Sequence, residues 1–238
     1  MNTSNAHISA KVRPKGPIYN ITPFTLLDYP DKSACIVWFA GCNMRCLYCY
    51  NPEIVLGKGT LDFEDIYRFL ESRKGLLDGV VLSGGECTLH RHLHIFITTI
   101  KAMGFAVKID TNGSNPLLLK QLLQHHLIDY IALDFKALPN QFQHITQSDL
   151  FSDFEQSLSL LLTAGIPFEI RTTVHSDLIP ESDFIRMVHY LEEKGYTGNY
   201  YIQHYMNNVP TLSKLDVSQI KLKKENFYSS KICLIFRE

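Results

Sequence analysis

Apolar and polar positions along this chain follow two rhythms that predict strands and helices in turn. Short apolar runs bounded by glycine or polar residues have the pattern of buried parallel strands, and apolar residues spaced three and four apart predict amphipathic helices. The predicted strands are residues 33–40, 79–82, 105–109, 130–135, 168–174 and 200–204, and the predicted helices include residues 63–70, 90–103, 116–126, 151–164 and 181–194. This alternation predicts an α/β fold, a partial (β/α)6 TIM-like barrel with a parallel, curved sheet and its helices outside.

The same pattern predicts the domain organisation. Residues 1–17 are polar, include two prolines and lack periodicity, so we expect a disordered tail there. No linker interrupts the remaining alternation, which ends in a last predicted strand at residues 232–236. We therefore expect residues 18–238 to form a single domain.

Composition narrows the class of protein. The chain has 238 residues and a formal net charge of −1, without a long basic run, so neither nucleic acid nor an anionic membrane is an expected partner. No apolar run approaches the roughly 18 residues of a membrane span. Six cysteines without a secretory signal favour a reducing compartment, and we expect a cytoplasmic protein.

Three cysteines lie directly after the first predicted strand. Cys42, Cys46 and Cys49 are spaced so that one loop can direct three thiolates to a common point, as an iron–sulfur cluster requires. A [4Fe–4S] cluster held by three cysteines leaves one iron open to a substrate or cofactor. The alternatives are half of a zinc site, for which histidines at 90, 92 and 94 are candidate ligands, and a disulfide framework.

A glycine pair and a carboxylate follow the second predicted strand. Gly84 and Gly85 would let a ligand approach the backbone closely, and Glu86 adds a carboxylate that can bind an amino group. A glycine pair by itself is also typical of a turn. Because the carboxyl ends of parallel strands form the functional edge of α/β sheets, we expect these residues near the cysteines.

Charged residues mark the next three strands. Asp110 opens an Asp-Thr-Asn-Gly sequence that is also typical of a β-turn, and Asp134 lies within an apolar strand two residues before Lys136. A buried carboxylate is rarely kept unless it is paired or coordinates something, although a surface ion pair with Lys136 is the alternative. Arg171 is suited to bind a carboxylate or phosphate, with an internal salt bridge as the alternative.

Together these motifs resemble one family. The Cys-x3-Cys-x2-Cys loop with Tyr48, followed by residues 84–86, 110–113 and 133–136 in this order, resembles the radical S-adenosylmethionine (SAM) superfamily. More narrowly it looks like the activases of glycyl radical enzymes, and among these most like the anaerobic ribonucleoside-triphosphate reductase activating proteins. Residues 27–31 are similar to the stretch that precedes the cysteine loop in those activases.

The resemblance implies a function and its partners. A reduced [4Fe–4S] cluster would cleave SAM to methionine and a 5′-deoxyadenosyl radical, which would abstract a hydrogen atom from a glycine of a partner enzyme. The implied partners are a glycyl radical enzyme, with anaerobic ribonucleoside-triphosphate reductase as the first expectation, and a flavodoxin- or ferredoxin-type electron donor. The alternatives are a radical SAM enzyme for a small molecule, such as a deazapurine synthase, and a non-catalytic cluster-binding module.

The resemblance also implies a role for each motif residue. The implied roles are cluster ligation by Cys42, Cys46 and Cys49, contact with adenine by Tyr48, contact with the methionine amino group by Gly84, Gly85 and Glu86, binding of the methionine end by Asp110, and contact with its carboxylate by Lys136. In some activases, residues that match Asp110, Thr111 and Asp134 also hold a monovalent cation.

The chain departs from the family pattern at a few positions. Cys87 stands where proline is usual after Gly-Gly-Glu, and we expect a packing residue there rather than a fourth cluster ligand. Tyr29 and Asp31 replace glycines before the cysteine loop. Cys35 and Cys233 are expected to be buried apolar residues.

Overall fold

The computed structural model describes residues 16–219 and 222–237, and within them eight strands form one sheet in sequential order. The strands are β1 (Ile18–Thr25), β2 (Ala34–Phe39), β3 (Gly79–Gly84), β4 (Ala106–Thr111), β5 (Tyr130–Asp134), β6 (Phe168–Val174), β7 (Asn199–His204) and β8 (Cys233–Arg237). The helices are α1 (Pro52–Leu56), α2 (Phe63–Glu71), α3 (Leu93–Ala102), α4 (Pro116–Gln124), α5 (Pro139–Thr146), α6 (Phe151–Thr163) and α7 (Glu181–Glu193). Strands β2 to β8 are parallel, and β1 pairs antiparallel with β2.

The predicted fold class is confirmed. All six predicted parallel strands and the predicted last strand are present, each within three residues of its expected bounds, and the sheet is curved and mostly parallel. In the part of the chain that the structure describes, no pairing joins β1 to β8. The barrel is therefore incomplete, with a gap between its two edge strands.

The sequence pattern did not predict β1 or α5. β1 is an edge strand whose pairing with β2 is irregular at two places, and its buried residues do not alternate with exposed ones. A strand of this kind lacks the period of two on which a prediction depends, and its Pro23 is tolerated because an edge strand need not donate from every residue. α5 is a short helix of eight residues with a proline at its start.

The main hydrophobic core lies between the sheet and the surrounding helices. Phe96 of α3 is at its centre on one side, stacked on Phe63 at 4.3 Å between ring centroids and edge-on to Phe39 at the end of β2. A second, smaller cluster lies inside the barrel, where Tyr29 packs on Ala34, Ile36 and Val81 near the amino ends of β2 and β3. Tyr29 thus covers the amino edge of the sheet and leaves the carboxyl edge for the site.

The structure also bears on the expectations for Cys35, Cys233 and the predicted tail. Cys35 is buried as expected, whereas the expectation for Cys233 is wrong because this residue is exposed. Cys233 begins edge strand β8, and alternation along this strand buries Leu234 instead. The predicted tail lies outside the described residues except for Gly16 and Pro17. None of the described helices has the length and apolar character needed to cross a membrane.

Candidate active site

A cavity of about 640 Å³ lies at the carboxyl edge of the sheet. Its size falls within the range of about 300 to 1,000 Å³ that is usual for ligand and cofactor sites. Every predicted site residue except Glu86 contributes to its wall: Cys42, Cys46, Tyr48, Cys49, Gly84, Gly85, Asp110, Lys136 and Arg171. The structure therefore brings together residues from four strand ends and the cysteine loop.

The cysteine loop is held on both flanks by backbone hydrogen bonds. On one flank, the Arg45 and Leu47 N–H groups donate to the carbonyls of Thr146 and Ile145 at 2.8 and 3.0 Å, at the end of α5. On the other, Leu212 N–H donates to the Cys49 carbonyl at 2.9 Å. The loop shape is therefore supported by α5 and by the segment after β7, neither of which the sequence pattern connected with the cysteines.

The thiols of the loop suit a cluster that replaces their protons. Burial raises the pKa of Cys42 to about 12, and burial also raises the pKa of Cys46, where nearby Lys136 acts in the opposite direction. Metal ligation requires thiolates, so cluster binding there would release protons. Within residues 16–219 and 222–237, no three His, Cys, Asp or Glu side chains converge on a single-ion position. The three cysteines all line the cavity, and three ligands suit a cluster with one open iron, whereas structural zinc usually has four.

Tyr48 belongs to the cavity wall, and its side chain is buried there. Its hydroxyl has no hydrogen-bond partner among the described residues. Lys136 Nζ lies 5.9 Å from the centre of the Tyr48 ring. A buried hydroxyl without a partner is uncommon, and this one is enclosed by protein atoms, so the predicted contact of Tyr48 with adenine stays a prediction.

The glycine pair joins the turn after β3 to the cysteine loop. Gly84 has a φ of +123°, and a Cβ atom on Gly85 would lie 1.9 Å from the Gly41 carbonyl oxygen. The Glu86 N–H donates to that same oxygen at 2.9 Å. Glycine is therefore required at 84 by the backbone conformation and at 85 by the close approach of the two loops, whatever ligand the turn contacts.

Glu86 is buried behind the cavity wall rather than in it. Its carboxylate accepts hydrogen bonds from the backbone N–H and hydroxyl of Thr88, the hydroxyl of Thr111 at 2.9 Å, and the backbone N–H of Asn112 at 2.7 Å. Burial raises the pKa of Glu86, and these hydrogen bonds oppose the rise. In this structure Glu86 connects the loops after β3 and β4, and its predicted contact with an amino group stays a prediction.

Five charged side chains form a continuous network, of which Asp110, Asp134, Lys136 and Arg171 line the floor of the cavity and Lys108 is buried beneath it. Arg171 bridges two carboxylates, with Nε 3.0 Å from Asp134 Oδ1 and Nη1 3.3 Å from Asp110 Oδ2. Lys108 Nζ lies 2.6 Å from Asp110 Oδ1, and Lys136 Nζ lies 3.0 Å from Asp134 Oδ2. Arg171 and Asp134 therefore form an internal ion pair, as one alternative expected. They also line the cavity, where they can contact a ligand, as the other alternative expected.

The network favours the charged forms of Asp110, Asp134 and Lys136. Burial by itself would raise the pKa of Asp110, but Arg171 and Lys108 outweigh it and the pKa is lowered. Asp134 behaves in the same way, with Lys136 and Arg171 as its cations. Burial likewise opposes the charged form of Lys136, yet Asp134 raises its pKa well above the usual value. A buried network of this kind is suited to bind the ionic end of a polar ligand.

Lys108 is the member that the sequence analysis missed. Its side chain is 2% exposed, and its two neighbours along β4 are the apolar residues Val107 and Ile109. The signal was available, because Lys108 and Asp110 are two residues apart and so lie on the same face of β4.

The cavity reaches both edges of the sheet. Leu27 and Asp28, just after β1, line one end, and Tyr201 and Arg237 of β7 and β8 line the other. Arg237 stacks on Tyr201 with its guanidinium carbon 3.9 Å from the ring centre. The cavity therefore extends across the sheet from the edge strand β1 to the edge strand β8.

Cys87 is outside the cavity wall. It is fully buried, and its thiol faces the backbone carbonyls of Leu82 and Asp110 at 3.8 and 3.7 Å. Burial raises its pKa well above the usual thiol value. These surroundings support the packing role expected for it.

Comparison with known proteins matches this chain to a known family. The sequence profile of the radical SAM superfamily matches residues 36–191. A Methanocaldococcus jannaschii protein, whose name describes it as a candidate glycyl-radical enzyme activating enzyme, is 31% identical over 176 residues, which are 71% of this chain and 72% of that protein. The pyruvate formate-lyase-activating enzyme of Clostridium pasteurianum is 29% identical over 178 residues, which are 72% of this chain and 74% of that enzyme.

Other relatives and solved structures are also similar. The 7-carboxy-7-deazaguanine synthase of Neisseria meningitidis is 30% identical over 131 residues, which are 53% of this chain and 57% of that enzyme. The structure of anSMEcpe with bound AdoMet matches with a TM-score of 0.57 and 17% identity over 70% of this chain and 49% of that one. Streptococcus suis SuiB matches with a TM-score of 0.62 and 12% identity over 84% of this chain and 47% of that one. At these identities, the structural matches show a shared fold over about half of each longer chain.

Proposed function

The chain belongs to the radical SAM superfamily, and from this premise we propose that it is the activating enzyme of a glycyl radical enzyme. The family implies a [4Fe–4S] cluster and SAM as its cofactors. The observation that carries the proposal is the cavity that joins the cysteine loop to the gap between β1 and β8. A glycine within another protein has to reach the site on a peptide segment, and this gap provides an entrance for one.

Each part of the cavity has a task in this proposal. Cys42, Cys46 and Cys49 would hold the cluster, which in its reduced form would supply the electron that cleaves SAM. Tyr48 lies beside the adenine as part of the cavity wall. Lys136 attracts the methionine carboxylate through its positive charge.

The strand ends position the other parts of SAM. Gly84 and Gly85 let the methionine end approach the backbone closely, with Glu86 holding the turn in place. Asp110 is kept ionised by Lys108 and Arg171, so it can attract the methionine amino group. The enclosing sheet also keeps water away from a reactive radical, which is a recurrent use of such barrels.

We further propose anaerobic ribonucleoside-triphosphate reductase as the partner, with a flavodoxin- or ferredoxin-type protein as the electron donor. The support for this partner is the order of motifs from residue 27 to residue 136 and the lack of a second cysteine cluster between Cys49 and Gly84. Activases with accessory clusters would need further cysteines there.

A second candidate function is that of a deazapurine synthase. It is favoured by the partial similarity to 7-carboxy-7-deazaguanine synthase, which covers 53% of this chain. A small-molecule enzyme needs an enclosed pocket with room for a second ligand, whereas this cavity reaches both sheet edges. The activase therefore remains the first proposal.

One anaerobic experiment separates these functions. The chain is reconstituted with iron and sulfide, reduced with dithionite and mixed with SAM and either anaerobic ribonucleoside-triphosphate reductase, pyruvate formate-lyase or a carboxylated pterin precursor of deazapurines. We expect an electron paramagnetic resonance signal of a glycyl radical with the reductase. A deazapurine product without a glycyl radical would support the second candidate, and absence of both would contradict the activase proposal.

A further inference from the structure

The residues that match the monovalent-cation ligands of some activases are Asp110, Thr111 and Asp134. In this chain each of their side chains already has partners. All four carboxylate oxygens of the two aspartates lie within 3.3 Å of a lysine or arginine nitrogen of the chain itself. No oxygen of either carboxylate is therefore left without a cation.

The arginine occupies the space that such an ion would need. Its Nε contacts Asp134 and its Nη1 contacts Asp110, so one planar guanidinium bridges the carboxylates from β5 and β4. A metal ion between these two carboxylates would have to displace Arg171. Because a guanidinium is always charged and binds carboxylates through directed hydrogen bonds, such displacement is unfavourable.

The third matching residue is also engaged. The Thr111 hydroxyl donates to Glu86 Oε1 at 2.9 Å and accepts from the Gly113 N–H at 3.1 Å. Its side chain is 2% exposed and belongs to the buried connection behind the cavity wall. Thr111 therefore offers its side chain to Glu86 rather than to an ion at the cavity floor.

The charge of the site argues in the same direction. Two carboxylates, Asp110 and Asp134, are already in direct contact with three cations, Lys108, Lys136 and Arg171. Buried Glu169 is a further acidic neighbour of Arg171. The two carboxylates therefore need no metal ion to balance their charge.

We propose that Arg171, supported by Lys108, takes the place of a monovalent metal ion in this chain, so that SAM binding does not depend on sodium or potassium. This inference rests on the proposed function, since it concerns the SAM site of the same enzyme. Arg171 is here a positioning residue, which holds Asp110 and Asp134 at a fixed separation.

The first test uses the reconstituted full chain. The Kd for SAM and the thermal unfolding midpoint are measured in potassium chloride, in sodium chloride and in tetramethylammonium chloride at equal ionic strength. Coupling between an ion and a ligand typically changes affinity about 5- to 150-fold, and we expect a change below about twofold. A rise in SAM affinity or in the midpoint that is specific to potassium or sodium would overturn the proposal.

A variant opens the position that the arginine occupies. Arg171→Met removes the bridge and should lower the unfolding midpoint, which potassium or sodium should then raise by binding only the folded state. Arg171→Lys restores one charge and should respond less. Arg68→Met is the matched control, because Arg68 also pairs with an aspartate but is 63% exposed on α2.

Two further results, from the variants at position 171 and from crystals of the native chain, also test the proposal. A variant at 171 that folds and ignores both ions would overturn the claim that the guanidinium occupies a cation position. If Arg171→Met does not fold, crystals of the native chain soaked in rubidium chloride decide, since an anomalous peak between Asp110 and Asp134 would contradict the proposal and its absence would support it. None of these readouts needs the partner enzyme, so failure of the proposed function is distinguishable from failure of this inference.

Discussion

The carboxylate of Glu86 accepts four hydrogen bonds from three residues, and two of the donors are backbone N–H groups. In Glu86→Gln, an amide NH2 must face the N–H of either Thr88 or Asn112. Leaving such buried donors unpaired costs about 1–3 kcal/mol, and we expect the free energy of unfolding to fall by this amount.

Chemical denaturation of the variant checks this expectation. Glu71→Gln is the control, because Glu71 pairs with Lys74 on the protein surface and its side chain is 62% exposed. If Glu86→Gln were as stable as the native chain, Glu86 would not brace the two loops.

Cys87 gives a second prediction at this scale. Its thiol faces two backbone carbonyls behind the cavity wall, so Cys87→Ala should keep its cluster and still cleave SAM, with a loss of about 1 kcal/mol in stability from the small void. Iron content and 5′-deoxyadenosine formation are the measurements, with Cys46→Ala as the variant that should lose both. Loss of iron or of SAM binding in Cys87→Ala would make Cys87 a ligand instead.

Residue types and their spacing predicted which residues line the cavity, but not which hydrogen bonds hold the loops behind it. The cysteines, the glycine pair and the charged strand ends carry their signal in short motifs, and parallel strands bring their carboxyl ends to one edge. The direction of the Glu86 carboxylate depends on donors 25 and 26 residues away, at Thr111 and Asn112. A short sequence motif does not show which distant residues will donate hydrogen bonds to it.

At the scale of elements, ion pairs join three adjacent strands. Asp110 is the last residue but one of β4, Asp134 is the last residue of β5, and Arg171 lies in the middle of β6. The cations lower the pKa of both carboxyl groups. Carboxylates with a lowered pKa in the folded state add stability above their unfolded pKa of about 3.9, and this stability is lost as the pH falls through the folded value.

This linkage predicts a pH-dependent mutant effect. The loss of unfolding free energy in Asp110→Asn should be largest above about pH 4 and should shrink as the pH falls further, because native Asp110 then becomes neutral as well. Denaturation of both proteins across this range tests it, with exposed Asp149→Asn as control. A mutant effect that did not change with pH would show that the charge of Asp110 does not support the fold.

Elements with a regular period were predicted, and irregular ones were not. β2 and β3 are nearly continuous apolar runs, so their burial was evident. β1 is joined to the sheet by its pairing with β2, and Ile18 also forms a bridge with Leu61. α5 matters because its last carbonyls hold the cysteine loop, a contact between segments about 100 residues apart along the chain.

At the scale of the whole molecule, the incomplete barrel connects a cysteine loop to a gap between its edge strands. The loop is held by backbone hydrogen bonds to α5 and to residues 212–213. The arrangement suits a reaction in which SAM is enclosed while a segment of a larger partner enters from the side.

The most direct measurement tests whether a hydrogen atom from a glycine of the partner is transferred to 5′-deoxyadenosine. The reduced, reconstituted chain is mixed with SAM and anaerobic ribonucleoside-triphosphate reductase in which glycine is deuterated at its α-carbon, and the 5′-deoxyadenosine is analysed by mass spectrometry. The account predicts 5′-deoxyadenosine that carries deuterium together with a glycyl radical on the reductase. 5′-Deoxyadenosine without deuterium, or none at all, would contradict it.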